Sequence, residues 1–246
     1  VRFDFPCHGE SPTVDDTLNL TDCRNSLMAA ARFAKAEFPE VKDLCIFATG
    51  FGAYVTLLCL EELLELFPAP WFHIGGDEAP KTRWAECPHC KAQMERLGLK
   101  SHRQLQGYMI SRIAAFLKER GRRTIIWNDG AYGGGIDPDV VLQVWFPDRD
   151  GALDKHIAAG GEVILSLVDP CYCDYPYGEH PLSGIYNMEV AIPDVPGDQI
   201  LGVQTLHWSE HIRTPERLYE LAWPRATAVA EVGWSGDNRG EYADFL

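Results

Sequence analysis

Positive charge is scarce in this chain. Lys and Arg number 22 against 36 Asp and Glu in 246 residues, a formal net charge of -14. Nucleic acids and anionic membrane surfaces reward clustered Lys and Arg, so neither is an expected partner. Long apolar runs are missing as well. None reaches the length of a membrane span, and the first residues carry no basic stretch followed by an apolar one. No Gly-, Ser- or Pro-rich linker parts one domain from another, and no repeat exists beyond an alternation of strand-like and helix-like segments. A second Cys-x-x-Cys is also lacking, so Cys87-Pro88-His89-Cys90 cannot complete a tetrahedral metal site. A local staple or two free thiols is the expectation there. The other cysteines, at 7, 23, 45, 59, 171 and 173, are too scattered for a disulfide scaffold in a chain of this size. Cys45 and Cys59 fall in apolar segments and read as core. Val1 is not an initiator Met and the chain opens directly on a strand-like segment, so it reads as a fragment.

What is present centres on Trp71-Phe72-His73-Ile74-Gly75-Gly76-Asp77-Glu78. Trp71, Phe72 and Ile74 have the aromatic and β-branched character of a strand, and two glycines allow a sharp turn and close approach of a ligand. Two adjacent carboxylates then stand at the strand's C-terminal end, where parallel α/β folds bind ligands. A lone Asp-Glu pair reads as the solvated first turn of a helix. The strand and glycines before it favour a site.

Further strands are expected at 124–127, 140–145, 163–167 and 201–206, with a helix from the Ser101 cap to about Arg120 and helical stretches at 152–159 and 215–230. Leu105, Tyr108, Met109, Ile113 and Phe116 recur at helical spacing on the 101–120 segment. The stretch holding Lys81, Arg83, Trp84 and the Cys-x-x-Cys pair reads as a long polar loop. Alternating βα units imply a parallel sheet of α/β class, of TIM-barrel type. The strands end in Trp127-Asn128-Asp129, Trp145, Tyr172-x-Asp174 and His207-Trp208-Ser209-Glu210. One tryptophan at a strand end is usually core, but three at successive C-terminal ends suggest an aromatic pocket. Aromatic walls with a few carboxylates suit a sugar, whose C–H faces stack while its hydroxyls bond to acids.

The His-x-Gly-Gly-Asp-Glu string, with Ala79-Pro80 after it and Leu66-Phe67-Pro68 before it, resembles the signature of glycoside hydrolase family 20, the β-N-acetylhexosaminidases. The resemblance covers about residues 60–246. It implies release of terminal N-acetylhexosamine from β-linked N-acetylglucosaminide or N-acetylgalactosaminide glycans, by a substrate-assisted retaining mechanism with no metal or organic cofactor. It further implies that Glu78 is the general acid and base and that Asp77 orients the 2-acetamido group. Trp127, Trp145 and Trp208 would wall the pocket and Tyr172 would bond the acetamido oxygen. Asp174 and Glu210 would bind ring hydroxyls, and His73 belongs with the substrate-binding set. Trp223-Pro224-Arg225, Ala230-Glu231 and Trp234-Ser235 match a closing helix of structural role. Family habit favours a secreted, periplasmic or lysosomal setting.

Residues 1–58 read differently. Strand-like segments at Val1 to Pro6 and Leu44 to Ala48, with helices from Asp22 to Phe38 and from Gly52, form a βαβα unit. Arg2-Phe3-Asp4-Phe5-Pro6-Cys7-His8-Gly9-Glu10-Ser11 resembles an α/β-hydrolase strand and turn. Ala48-Thr49-Gly50-Phe51-Gly52 then falls where that fold's nucleophile elbow belongs. Gly50 carries no nucleophile, which argues against an esterase. The expected division is therefore a hydrolase-like segment at 1–58 and, at 59–246, the C-terminal part of a family 20 barrel holding its fourth to eighth strands. A junction inside one helix points to a rearranged coding sequence. The barrel should be left with a breach, and a catalytically impaired amino-sugar binder is the alternative function.

Overall fold

The computed structural model describes residues 3–6, 8, 11, 18–41, 46, 48, 50–146, 151–210 and 212–246. Two compact units divide at Pro70/Trp71 rather than at residue 58. In the first unit Asn19 caps α1 (Leu20–Glu37), its side chain accepting from the Thr21 N–H at 2.8 Å. α2 (Gly50–Leu58) and α3 (Leu60–Leu66) follow with Cys59 between them. Cys23, Leu27, Met28, Ala31 and Ala34 of α1 are buried, as are Val55, Cys59, Leu60, Leu63 and Leu64. The segment after residue 58 therefore packs with the helices before it, which moves the boundary past α3.

The described residues of this segment do not show the strands of the expected βαβα unit. Phe3 to Phe5, Ile46 and Ala48 are not in strands, and the first unit holds no strand among its described residues. An extended run becomes a strand only when a neighbour completes its backbone hydrogen bonds. Here the chain turns back on itself instead, with the His8 N–H donating to Phe5 O and the Ser11 N–H to His8 O. Val1, Arg2, Cys7, Gly9, Glu10, Leu44, Cys45, Phe47 and Thr49, which also carried that expectation, lie outside the described residues.

The second unit is a five-stranded parallel sheet in sequential order. Its strands are β1 (Trp71–His73), β2 (Arg123–Trp127), β3 (Val141–Val144), β4 (Val163–Leu165) and β5 (Ile200–Val203). Between β1 and β2 lie α4 (Thr82–Glu86), α5 (Pro88–Leu97) and α6 (His102–Lys118), the last capped by Ser101, whose hydroxyl accepts from the Gln104 N–H. The expected polar loop holding Lys81, Arg83, Trp84 and the Cys-x-x-Cys pair is thus built largely of two short helices. They were hidden from periodicity because neither buries a residue. α7 (Ala152–Ala158), the short turns α8 (Val168–Cys171) and α9 (Leu182–Tyr186), and then α10 (Pro215–Ala222), α11 (Arg225–Ser235) and α12 (Tyr242–Phe245) complete the unit. The helix expected across 215–230 is split at Pro224, which has no N–H to continue the ladder.

One sheet face is packed and the other is open. Ile126, Leu142, Val144 and Val163 meet Ile110, Ala114, Leu153 and Ile157 of the helices in the main core. The pairing of His73 with Ile125, Trp127 with Gln143, and Gln143 with Ile164 puts these residues on the opposite face. A cavity of 410 Å³ lies there, lined by Trp71, Ile125, Ile164, Gly202 and Gln204 among others. Five strands in sequential order form part of a barrel and do not close one.

The buried side of α6 differs from the expected stripe. Gln106, Gly107, Ile110, Ala114 and Leu117 are buried, whereas Met109 is 46% exposed. The reason is the loop after β2, which lies so close that a Cβ on Gly107 would sit 2.6 Å from Gly134 O. Replacing Gly107 by Ala favours an isolated helix by about 1 kcal/mol. The contact should reverse that sign, giving a net loss of about 1 to 3 kcal/mol in chemical denaturation. A Gly107→Ala chain as stable as the parent would contradict the close approach.

Candidate active site

The β1 strand ends in a turn that only glycine makes easily. Gly75 and Gly76 have φ of 73° and 103°, backbone conformations that a side chain would strain. The turn is fastened from both sides. Trp127 N–H donates to Gly75 O at 3.1 Å, and the buried Gln106 side chain donates to Gly76 O at 2.6 Å. Glu78 follows with φ of 45°, a left-handed conformation that a non-glycine residue holds only where its surroundings impose it.

Asp129 supplies that constraint. Its Oδ2 accepts from the Glu78 backbone N–H at 2.7 Å, and its Oδ1 accepts from Trp145 Nε1 at 3.2 Å. One carboxylate at the end of β2 thereby joins the Asp77-Glu78 turn to the tryptophan beyond β3. The neighbouring Asn128 is buried and ties the same exit, donating to Phe146 O and accepting from the Trp145 N–H. Sequence reasoning placed Asp129 at a strand end without giving it a role, and it passed over Gln106. The adjacent Trp-Asn-Asp run was the available signal for the first, and nothing in the helical pattern marked the second.

The aromatic residues converge. Trp127, Tyr172 and Leu206 form a buried cluster, with Trp145, Tyr175 and Trp208 packed against it. Trp208 stands 6.0 Å from Trp127 and 6.3 Å from Tyr172 between ring centroids, and His73 meets Trp127 edge-on at 5.1 Å. Tyr172 is brought in by a parallel bridge to Leu206, with the Cys173 N–H donating to Leu206 O and the Leu206 N–H to Cys171 O. Burial first, and then the negative charges of Asp174 and Asp77, push the Tyr172 hydroxyl up to about 12 against a lowering hydrogen bond from Trp208. It therefore stays protonated and able to donate.

His73 is exposed along the open face, yet the dense protein behind it pushes its pKa down to about 4, opposed by a hydrogen bond with Gln143. It is neutral near pH 7. Gly75 N–H donates to its Nδ1 at 3.1 Å, so the ring proton sits on Nε2. Asp174 is almost fully buried, and its Oδ1 has no hydrogen-bond partner among the described residues. Its loop is held by Arg225, itself wholly buried, which donates to the carbonyls of Cys173, Tyr175, His180 and Leu221. That matches the structural role expected of the Trp223-Pro224-Arg225 run. Glu210 is exposed in the turn beyond Trp208.

Residues 2–237 match the model of a family described as glycosyl hydrolase family 20, catalytic domain. The chain belongs to glycosyl hydrolase family 20. The match begins at residue 2, so it takes in the segment whose motifs resemble the α/β-hydrolase fold. Among curated relatives, a beta-hexosaminidase of Porphyromonas gingivalis is 33% identical over 76% of this chain and 26% of its own length. One of Vibrio furnissii is 31% identical over 74% of this chain and 32% of its own. The chain thus spans about a quarter to a third of the length of these relatives. A family 20 exo-β-N-acetylglucosaminidase from Vibrio harveyi, solved in complex with N-acetylglucosamine, superposes with a TM-score of 0.66 at 32% identity, covering 76% of this chain and 32% of that one. A β-N-acetylhexosaminidase from Bacteroides fragilis gives 0.65 at 29% identity, covering 76% and 40%. These likenesses agree with the parallel α/β sheet of a family 20 barrel.

Asp77 offers a test of the site's electrostatics. Desolvation raises its pKa above the ordinary 3.8, and the charge of Asp129 adds to this, while its own backbone N–H lowers it. A carboxyl with a raised folded pKa contributes its full stability below the unfolded value and loses it as pH rises through the folded one. Asp77→Asn should therefore raise the melting temperature at pH 7 by on the order of 2 °C. That gain should shrink as the pH falls and vanish below 3.8. A gain that is the same at pH 7 and pH 3 would show that the carboxylate is not strained.

Proposed function

We propose that the protein cleaves terminal N-acetylhexosamine from β-linked glycans, the 2-acetamido group of the substrate acting as nucleophile. The observation that carries this reading is Asp129, which holds the Asp77-Glu78 turn and Trp145 on one carboxylate beside the Trp127–Tyr172–Trp208 cluster. Adjacent carboxylates are poorly placed to flank a glycosidic bond from both faces, as an enzyme nucleophile and acid must. They suit a division of labour on one side. Glu78 donates a proton to the leaving oxygen and later takes one from water. Asp77 accepts the acetamido N–H and offsets the positive charge that develops as the acetamido oxygen closes on the anomeric carbon.

The protonated Tyr172 hydroxyl donates to that acetamido oxygen and orients it. Trp127, Trp145 and Trp208 enclose the methyl group and the sugar face, with the neutral His73 behind Trp127. The unpartnered Asp174 Oδ1 is an acceptor for a sugar hydroxyl at the pocket floor, and Glu210 takes a hydroxyl from the rim. An amino-sugar binder without turnover is the second reading. It is favoured by the five-stranded sheet, which does not close into a barrel.

Glu78→Gln should lower turnover of an N-acetylglucosamine disaccharide by about a hundredfold or more, the scale of general acid catalysis, while leaving affinity for free N-acetylglucosamine unchanged. Equal turnover by variant and parent would end the assignment of Glu78. Binding with no turnover by the parent itself would select the second reading.

A further inference from the structure

Cys87 occupies a corner where two helices meet. Its N–H donates to Arg83 O and closes α4, and its own carbonyl accepts the Lys91 N–H in the first turn of α5. Pro88 then begins α5, which places Cys90 at the third helical position, facing back toward the cap. No side-chain hydrogen bond caps the helix through the sulfur. The Cys90 N–H and thiol lower the Cys87 pKa, with the His89 N–H and Lys91 helping and burial opposing, while Cys90 is raised by Cys87 in turn. No acidic residue stands in the first turn of α5. The cap and the third helical position adjoin at a helix start, which places the two thiols on neighbouring corners of one turn.

They also differ from the other described cysteines. Cys23, Cys59, Cys171 and Cys173 are buried, whereas Cys87 and Cys90 are free thiols that reach solvent. Cys171 is pushed up to about 12 by burial. A thiol held neutral and enclosed is inert, while an accessible one at a helix start is the usual reactive kind. No step of the sugar chemistry uses this corner.

We propose that Cys87 and Cys90 form a reversible dithiol–disulfide pair, a redox-modification site that exchanges with small disulfides of the glutathione class. The Cys87 thiolate attacks one sulfur of a glutathione disulfide, forming a mixed disulfide and releasing one glutathione thiolate. The Cys90 thiolate then attacks the Cys87 sulfur, forming the Cys87–Cys90 bond and releasing the second. Two protein thiols are oxidised, one glutathione disulfide is reduced to two glutathiones, and the two protons lost by Cys87 and Cys90 pass to the departing thiolates or to solvent. The product staples the end of α4 to the first turn of α5.

The test uses the full chain in glutathione redox buffers, quenched with acid, alkylated and mapped by peptide mass spectrometry. Oxidised glutathione should give a Cys87–Cys90 disulfide peptide that a dithiol reductant removes. Cys90→Ser should accumulate one glutathione on Cys87, and Cys87→Ser should react about tenfold more slowly. Independently of any substitution, iodoacetamide should label Cys87 of the native parent about tenfold faster than Cys90. The proposal is overturned if the parent forms no such disulfide until unfolded in urea, or if the two thiols are labelled at equal rates.

Discussion

The candidate site depends on one shared carboxylate. Asp129 accepts at 2.7 Å from the Glu78 backbone N–H and at 3.2 Å from the Trp145 indole. A charged acceptor makes both bonds stronger than neutral ones would be, and it fixes an angle as well as a distance. It also holds Glu78 in a left-handed conformation that an isolated chain would leave. The cost appears next door, where the same charge helps to raise the pKa of Asp77.

The remaining contacts protect that arrangement. Gln106 and Gly107 reach it from α6, the first by bonding Gly76 O and the second by having no side chain against Gly134. Arg225 does comparable work for the Tyr172–Asp174 loop, spreading a buried guanidinium over four carbonyls and stacking on Tyr177 at 4.1 Å. A buried cation is tolerable only when so fully hydrogen-bonded. Rigid strands carry the site residues, and buried polar side chains set their aim.

Much of this was legible in the sequence. The four strands after β1 lie where β-branched runs and their aromatic ends indicated. Trp127, Trp145, Tyr172 and Trp208 were found from their places at strand ends, and they pack together. Asp129 stood at a strand end in the sequence without a role, because its value lies in a bond to a backbone N–H 51 residues away. α4 and α5 were missed because they bury nothing, and periodicity reports burial rather than helicity. Phe3 to Phe5 have strand-like composition yet are not in a strand, since β propensity describes a surface to be paired and cannot supply the neighbour.

The central claim is that this pocket is shaped for an acetamido group folding onto its own sugar. Titration of tryptophan fluorescence with a thiazoline analogue of the cyclised sugar, beside N-acetylglucosamine and glucose, tests it most directly. The account predicts that the analogue binds at least about a hundredfold tighter than N-acetylglucosamine, as mimics of a transition state do, and that glucose does not bind measurably. Equal affinity for the three sugars would contradict it.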